Sequence, residues 1–230
     1  MSESAFTFIA QVEQAYAALM QFAAARGEMS LGGNLLYAGE LDEPGRRLAV
    51  AGNIAGAATL AASADAGSLR QSMRDGVIDF LVNSLDEALR ILKNEIRKRE
   101  TVAVAVAAAP MDIAREMLLR GVLPDLLSSS PAPPEFTAFL AQGSQPIAAQ
   151  PQPHSSKLLI WPIPAGFTLR PAGFDALLLE HLPPGDQANR RWLRLAPRYL
   201  GQQARRFRSL ACDEDTASTL IARLGPPLHL

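Results

Sequence analysis

Apolar positions between residues 3 and 26 fall at Phe8, Val12, Ala15, Leu19 and Phe22, in steps of four, three, four and three. That spacing puts them on one helix face, and Gly27 ends the helix. The pattern then shortens. Leu35-Leu36-Tyr37-Ala38 reads as a strand, and Asp42 with Pro44 opens a helix of small residues over 45–57. Ala58–Ala62 is a second strand, 68–74 a short helix, and Ile78–Val82 a third strand. Thr101–Ala109, TVAVAVAAA, carries no charge and has the look of a central strand buried on both faces. Pro110 opens a helix through Arg120, and 124–127 offers a further strand. Strands alternating with helices over short connections predict βαβ units. The fold class is therefore α/β, a Rossmann-like parallel sheet with helices on both faces.

The helix after Val82 carries its own start signal. In Ser84-Leu85-Asp86-Glu87 the Ser84 hydroxyl can accept from the Glu87 amide, and the Glu87 carboxylate can reach back to the Ser84 amide. Leu85, Leu89, Leu92 and Ile96 form its buried stripe. Asp86–Arg90 and Glu95–Arg99 are spaced for acid-first pairs four residues apart.

From Ser128 to Ser156 proline, serine, glutamine and alanine dominate, broken by the apolar patch Phe136, Phe139 and Leu140. This predicts a linker over 131–156, with the patch free to dock on a neighbour. Beyond it, 157–162, 175–180 and 206–211 read as strands, and 187–200 and 216–224 as helices. The expected organisation is an N-terminal helix (1–30), an α/β domain (31–130), the linker, and a smaller C-terminal α/β part (157–230).

Charge sharpens that division. Residues 1–150 hold 12 Lys/Arg against 17 Asp/Glu, and residues 151–230 hold 10 against 6, behind a total of −1. An acidic part and a basic part in one chain favour docking of one on the other. Hydrophobic residues make up 48% of the chain, which excludes a disordered protein. The single cysteine, Cys212, excludes a disulfide scaffold. No apolar run is long enough to cross a membrane. The N-terminus lacks a signal-peptide pattern, so the expected location is cytoplasmic.

Three blocks carry a family resemblance: Asn53-Ile54-Ala55-Gly56-Ala57, then DGVIDFLVNSLDEALRIL over 75–92, then Leu119-Arg120-Gly121-Val122-Leu123-Pro124-Asp125. In content, order and distance they resemble the NAD-binding Rossmann-type domain of urocanase (urocanate hydratase). They are packing and capping parts of that fold. The resemblance implies a glycine-rich turn after the first strand, which here reads Gly39-Glu40-Leu41-Asp42-Glu43-Pro44-Gly45. It implies an acidic residue for the adenosine ribose, where this chain has Ser63 with Asp65 two residues on. It implies an asparagine where Ala109 stands, and a cofactor-touching polar loop where 128–134 reads SSSPAPP. Nothing after Ser156 resembles the catalytic segment, and Cys212 does not sit in that motif.

Physics points the same way. A dinucleotide pyrophosphate needs free amides and the positive end of a helix. Glu40, Asp42 and Glu43 place three carboxylates there. No cofactor is expected, NAD included, and urocanate hydratase activity is not expected. The first reading is a non-catalytic protein acting by binding or protein association. A second is a small-molecule or nucleotide binder, or an enzyme, that uses the strand ends at Gly39, Glu40, Ser63, Asn83 and Ser128.

A third reading rests on seven arginines between Arg190 and Arg208, with no acid among them and Trp192, Tyr199 and Phe207 interleaved. Arg190, Arg194 and Arg198 share a helix face and could hold phosphates. Nucleic acid is not the expected partner, because docking on the acidic domain accounts for the same charge. His154, His181 and His229 are too scattered for a metal site. Ser128-Ser129-Ser130 lacks the nucleophile-elbow pattern. The apolar stripe over 3–26 needs a cover, and a homodimer through it is one expected solution.

Overall fold

The computed structural model describes residues 3–128, 134–147, 156–163 and 171–227. Helix α1 (Glu3–Ala25) leads into six parallel strands: β1 (Leu35–Glu40), β2 (Ala58–Ala62), β3 (Phe80–Val82), β4 (Val102–Val106), β5 (Leu126–Ser128) and β6 (Gln145–Ile147). Their order in the sheet is β3-β4-β2-β1-β5-β6. The crossovers are α2 (Glu43–Ala55), α3 (Ala66–Arg74), α4 (Leu85–Lys98), α5 (Pro110–Leu119) and α6 (Pro134–Ala141). No helix of the described residues is long and apolar enough to cross a membrane.

The valine-alanine alternation of β4 sizes the two faces of the sheet. Val102, Val104 and Val106 point with Leu35, Tyr37 and Leu60 towards α4, α5 and α6. Ala103 and Ala105 point with Leu36, Ala38 and Ala61 towards α1, α2 and α3. The small side lets α2 lie close. A Cβ on Gly52 would come within 2.7 Å of Leu36 Cδ2.

The blocks that carry the family resemblance turn out to be joints. Asn53 Nδ2 donates to the Val77 carbonyl at 3.0 Å, tying α2 to the approach of β3. Gly56 closes α2 in the left-handed conformation (φ 97°). Asp125 Oδ2 accepts from the Leu35 amide at 2.7 Å and anchors the start of β1. The Ser84 hydroxyl accepts from the Glu87 amide at 3.3 Å as expected. The Glu87 carboxylate reaches one residue further back than expected, to the Asn83 amide at 3.0 Å.

The expected ion pairs along α4 are replaced by others. Asp86 pairs instead with Arg120 at the end of α5. Glu95 pairs with Lys98 at 2.9 Å. Arg99 caps α4 with φ 61°, which swings it off the helix line to within 3.6 Å of Glu28.

Two expectations for the second half are corrected. Residues 134–147, expected within a linker, form α6 and the sheet's sixth strand. Phe136 and Phe139 are buried, with ring centroids 5.9 and 6.5 Å from Tyr37. Their apolar area outweighs the surrounding composition. Pro146 is tolerated because β6 is an edge strand. Residues 175–180, expected as a strand, belong to helix α7 (Pro171–His181). Phe174, Leu178 and Leu182 bury one face at helical spacing.

The rest of the C-terminal part is α8 (Gln187–Tyr199), a 3-10 turn at 203–205, and α9 (Glu214–Leu224) around an antiparallel pair. That pair joins β7 (Ser156–Pro162) to β8 (Phe207–Asp213).

This part shares a core with α1 and α2. Trp192 is buried, its indole donating to the Ser209 carbonyl at 2.9 Å, with the Tyr16 ring 5.1 Å away. The Tyr16 hydroxyl donates to the Ala188 carbonyl at 2.7 Å. Arg191 Nε donates to the Ile54 carbonyl at 2.6 Å, so a cation from α8 caps the negative end of α2. The stripe of α1 is covered by these contacts. Val12 and Leu19 are fully buried and Phe8 and Phe22 pack on the same core. The need for a cover, which pointed to self-pairing, is met within the chain.

Candidate functional site

The parallel strands bring the sequence-selected residues to one edge of the sheet. Gly39 and Glu40 end β1, Ser63 follows β2, Asn83 follows β3, and Ser128 ends β5. Asn83 and Ser128 are four strand spacings apart, roughly 19 Å, so no single small ligand touches both. Glu40 and Ser63 lie at neighbouring strand ends. The strand order reverses between β1 and β5, the place where open α/β sheets take ligands. Ser128 is half-buried there, while Ser129 and Ser130 lie outside the described residues.

Much of this edge is already engaged. Gly39 takes φ 74° at an irregularity in the β1–β2 pairing. The nearest atom to a Cβ there would be Phe136 Cζ, at 3.9 Å. Asp42 caps α2, its Oδ1 accepting from the Gly45 amide at 2.9 Å. Glu40 Oε1 accepts from the Leu41 amide at 3.2 Å. Gly45 sits so close under the strand that a Cβ would lie 1.8 Å from the Glu40 carbonyl oxygen. The positive end of α2 is therefore capped by Asp42 of its own chain, with Glu40 just before it and Glu43, in its first turn, paired with Arg47 at 2.9 Å.

The remaining positions are local turn and cap groups. Ser63 is buried, its hydroxyl accepting from the Asp65 amide at 3.1 Å. Asp65 caps α3 through the Gly67 amide at 2.7 Å. Ala109 begins α5 without a side-chain cap.

The arginine stripe divides on folding. Arg190 Nη2 donates to the Leu182 carbonyl at 2.7 Å and Nε to that of Pro183 at 3.2 Å. Arg191 caps α2, and Arg208 is buried against Asp175. Arg194, Arg198, Arg205 and Arg206 remain exposed. Arg198 lies over the Tyr199 ring, 5.1 Å from its centroid.

No group of three or more metal-ligating side chains occurs among the described residues. His154 and His229 fall outside them. His181 Nδ1 lies 2.8 Å from the Leu177 carbonyl.

Cys212 is buried in β8, and burial, helped by the Asp213 carboxylate, pushes its thiol up to about 12. It stays protonated at neutral pH and is a poor nucleophile. Burial also raises the phenols of Tyr16 and Tyr37 well above their usual range. Unfolded, these groups lose protons near 9 and 10, while the folded chain retains them. Stability should therefore hold below about pH 8.5 and fall as pH rises through 9 to 11. Urea titrations at pH 7, 9 and 10.5 check this, and a flat or rising midpoint would contradict the burial of these groups.

Comparison with known proteins fits this architecture. The family model of the urocanase Rossmann-like domain matches residues 11–135, more than half of the chain. The S-methyl thiourocanate hydratase of Variovorax sp. (strain JCM 16519 / RA8) is 25% identical over 120 residues, covering 52% of this chain. The match takes in 22% of that relative, so this chain spans about a fifth of its length.

Proposed function

The chain belongs to the family of urocanase Rossmann-like domains, and on that premise we propose that it is a non-catalytic member that acts by binding. One observation carries the proposal: the start of α2 is capped by the chain's own Asp42 carboxylate, with two further acids beside it in sequence. A dinucleotide pyrophosphate would need the Gly45 amide, which Asp42 holds at 2.9 Å, and would meet Glu40 and Glu43 beside it. The donor set does not fit NAD.

The framework joints support the same reading. Asn53, Gly56, Ser84 and Asp125 hold elements together, whereas the positions matched to ligand contacts are Ser63, a turn hydroxyl, and Ala109, which has no polar side chain. The relative named for hydratase activity is far longer than the shared segment. The division of the arginine stripe supports a surface for something other than nucleic acid, because three of its seven cations are tied to the protein itself.

Hydration of urocanate breaks its conjugation and removes its ultraviolet absorbance. Incubated with urocanate and NAD for hours, this protein should leave that absorbance unchanged. A loss of signal proportional to protein concentration would overturn the proposal.

A further inference from the structure

Between the α2–α3 pair and the end of α8 lies an open cleft of about 750 Å³. Arg46, Arg74, Arg198, Arg205 and Arg208 line it, and Asp75 is the one carboxylate among the described residues that do. Five cations drawn from distant parts of the sequence therefore converge on one concavity. Two of them are neutralised in place, Arg46 by Asp75 and Arg208 by Asp175. No carboxylate pairs with Arg74, Arg198 or Arg205 among the described residues.

Like charges gathered on one concave surface add up to a positive field that draws anions in. We propose that this cleft binds a small organic polyanion, through the phosphate or carboxylate oxygens that guanidinium forks recognise.

The residue type supports this class of ligand. Arginine presents a planar fork that pairs bidentately with both groups. The volume falls in the range of about 300–1,000 Å³ typical of small-molecule sites. The floor is apolar at Phe8, Val50 and Leu200, which suits the carbon skeleton of such a ligand. The concave shape separates this site from a nucleic-acid track. Arg190, which would extend the row along α8, is bound to backbone carbonyls. Because α2 and α3 form one wall and α8 the other, an occupant would brace the two parts of the chain against each other.

The proposal stands apart from the closed start of α2, and the test keeps the two separate. Thermal unfolding of the full chain is followed in 150 mM salt with pyrophosphate, citrate, NAD or the single-stranded oligonucleotide dT20. The same series is run on the double variant R198Q/R205Q, both exposed positions, whose own melting temperature should match the parent's.

Pyrophosphate or citrate should raise the parent's transition saturably, by roughly 5 °C or more at a hundredfold excess over Kd. The variant should lose that shift. A pyrophosphate response assigns phosphate and a citrate response carboxylate. No shift with either, or a shift that survives in the variant, overturns the proposal. Tighter binding of dT20 than of both small anions overturns it too. An NAD shift lost in the variant belongs to this cleft, whereas one that survives counts against the closed helix start.

Discussion

Gly45→Ala should lower the melting temperature by roughly 6–12 °C, a loss of about 3 kcal/mol or more. The added Cβ would lie 1.8 Å from the Glu40 carbonyl oxygen, which is backbone and cannot rotate away. Either α2 must lift off the sheet or the end of β1 must bend. Lifting α2 would also strain the contact between Gly52 and Leu36, which depends on the same close approach. The control is Gly185→Ala, where nothing lies within 4 Å of the new methyl group and the change should stay within about 0.5 kcal/mol. Circular dichroism melts of both variants decide the matter. A Gly45 variant that melts with the parent would mean that the helix start is not seated against the strand.

The second large effect belongs to Trp192. Trp192→Ala should cost about 3–5 kcal/mol, through lost burial and the cavity left behind. The indole is 2% exposed and packs against Tyr16 of α1 as well as the floor of its own part. Its hydrogen bond to the Ser209 carbonyl would be lost with it. The site also tests whether the C-terminal part is an independent unit. Because the core runs from α1 and α2 into α8 and β8, urea unfolding should remain one transition, moved as a whole. A variant that melts in two steps, with the sheet transition unmoved, would show that the two parts fold separately.

Strands β1 to β5 were legible because each is an apolar run bounded by clear punctuation. What composition hid was the role of 134–147, where Phe136 and Phe139 alone justify a helix amid prolines and serines. The helix at 171–181 was hidden by too many leucines. Leu177, Leu178 and Leu179 in a row erase the periodicity, and only the Phe174–Leu178–Leu182 spacing betrays it. Caps were readable to within one residue, as Glu87 shows by reaching Asn83 rather than Ser84.

Ion pairs were not readable. Arg120 and Asp86 are 34 positions apart and meet through the packing of α4 on α5. The carboxylates at the start of α2 could be read from sequence because a helix N-terminus is a local feature. The arginine cleft could not, because Arg46 and Arg74 become neighbours of Arg198 and Arg205 only once α8 is docked. The run of arginines drew attention to one helix face, while two of the cleft's cations lay more than a hundred residues away.

The pairing of α1 with α8 sets the order in which the chain can be completed. Tyr16 and Ala188 are 172 positions apart, so α1 leaves the ribosome well before the α8 that covers it. Until then Phe8, Tyr16 and Leu19 have no native partner beyond α2 and the sheet. Closing so long a loop adds entropy cost slowly with length but delays the reward of contact. During synthesis the first helix is therefore the segment most exposed to capture by chaperones or by other nascent chains. A ribosome stalled near residue 180 would display that greasy face at its most vulnerable.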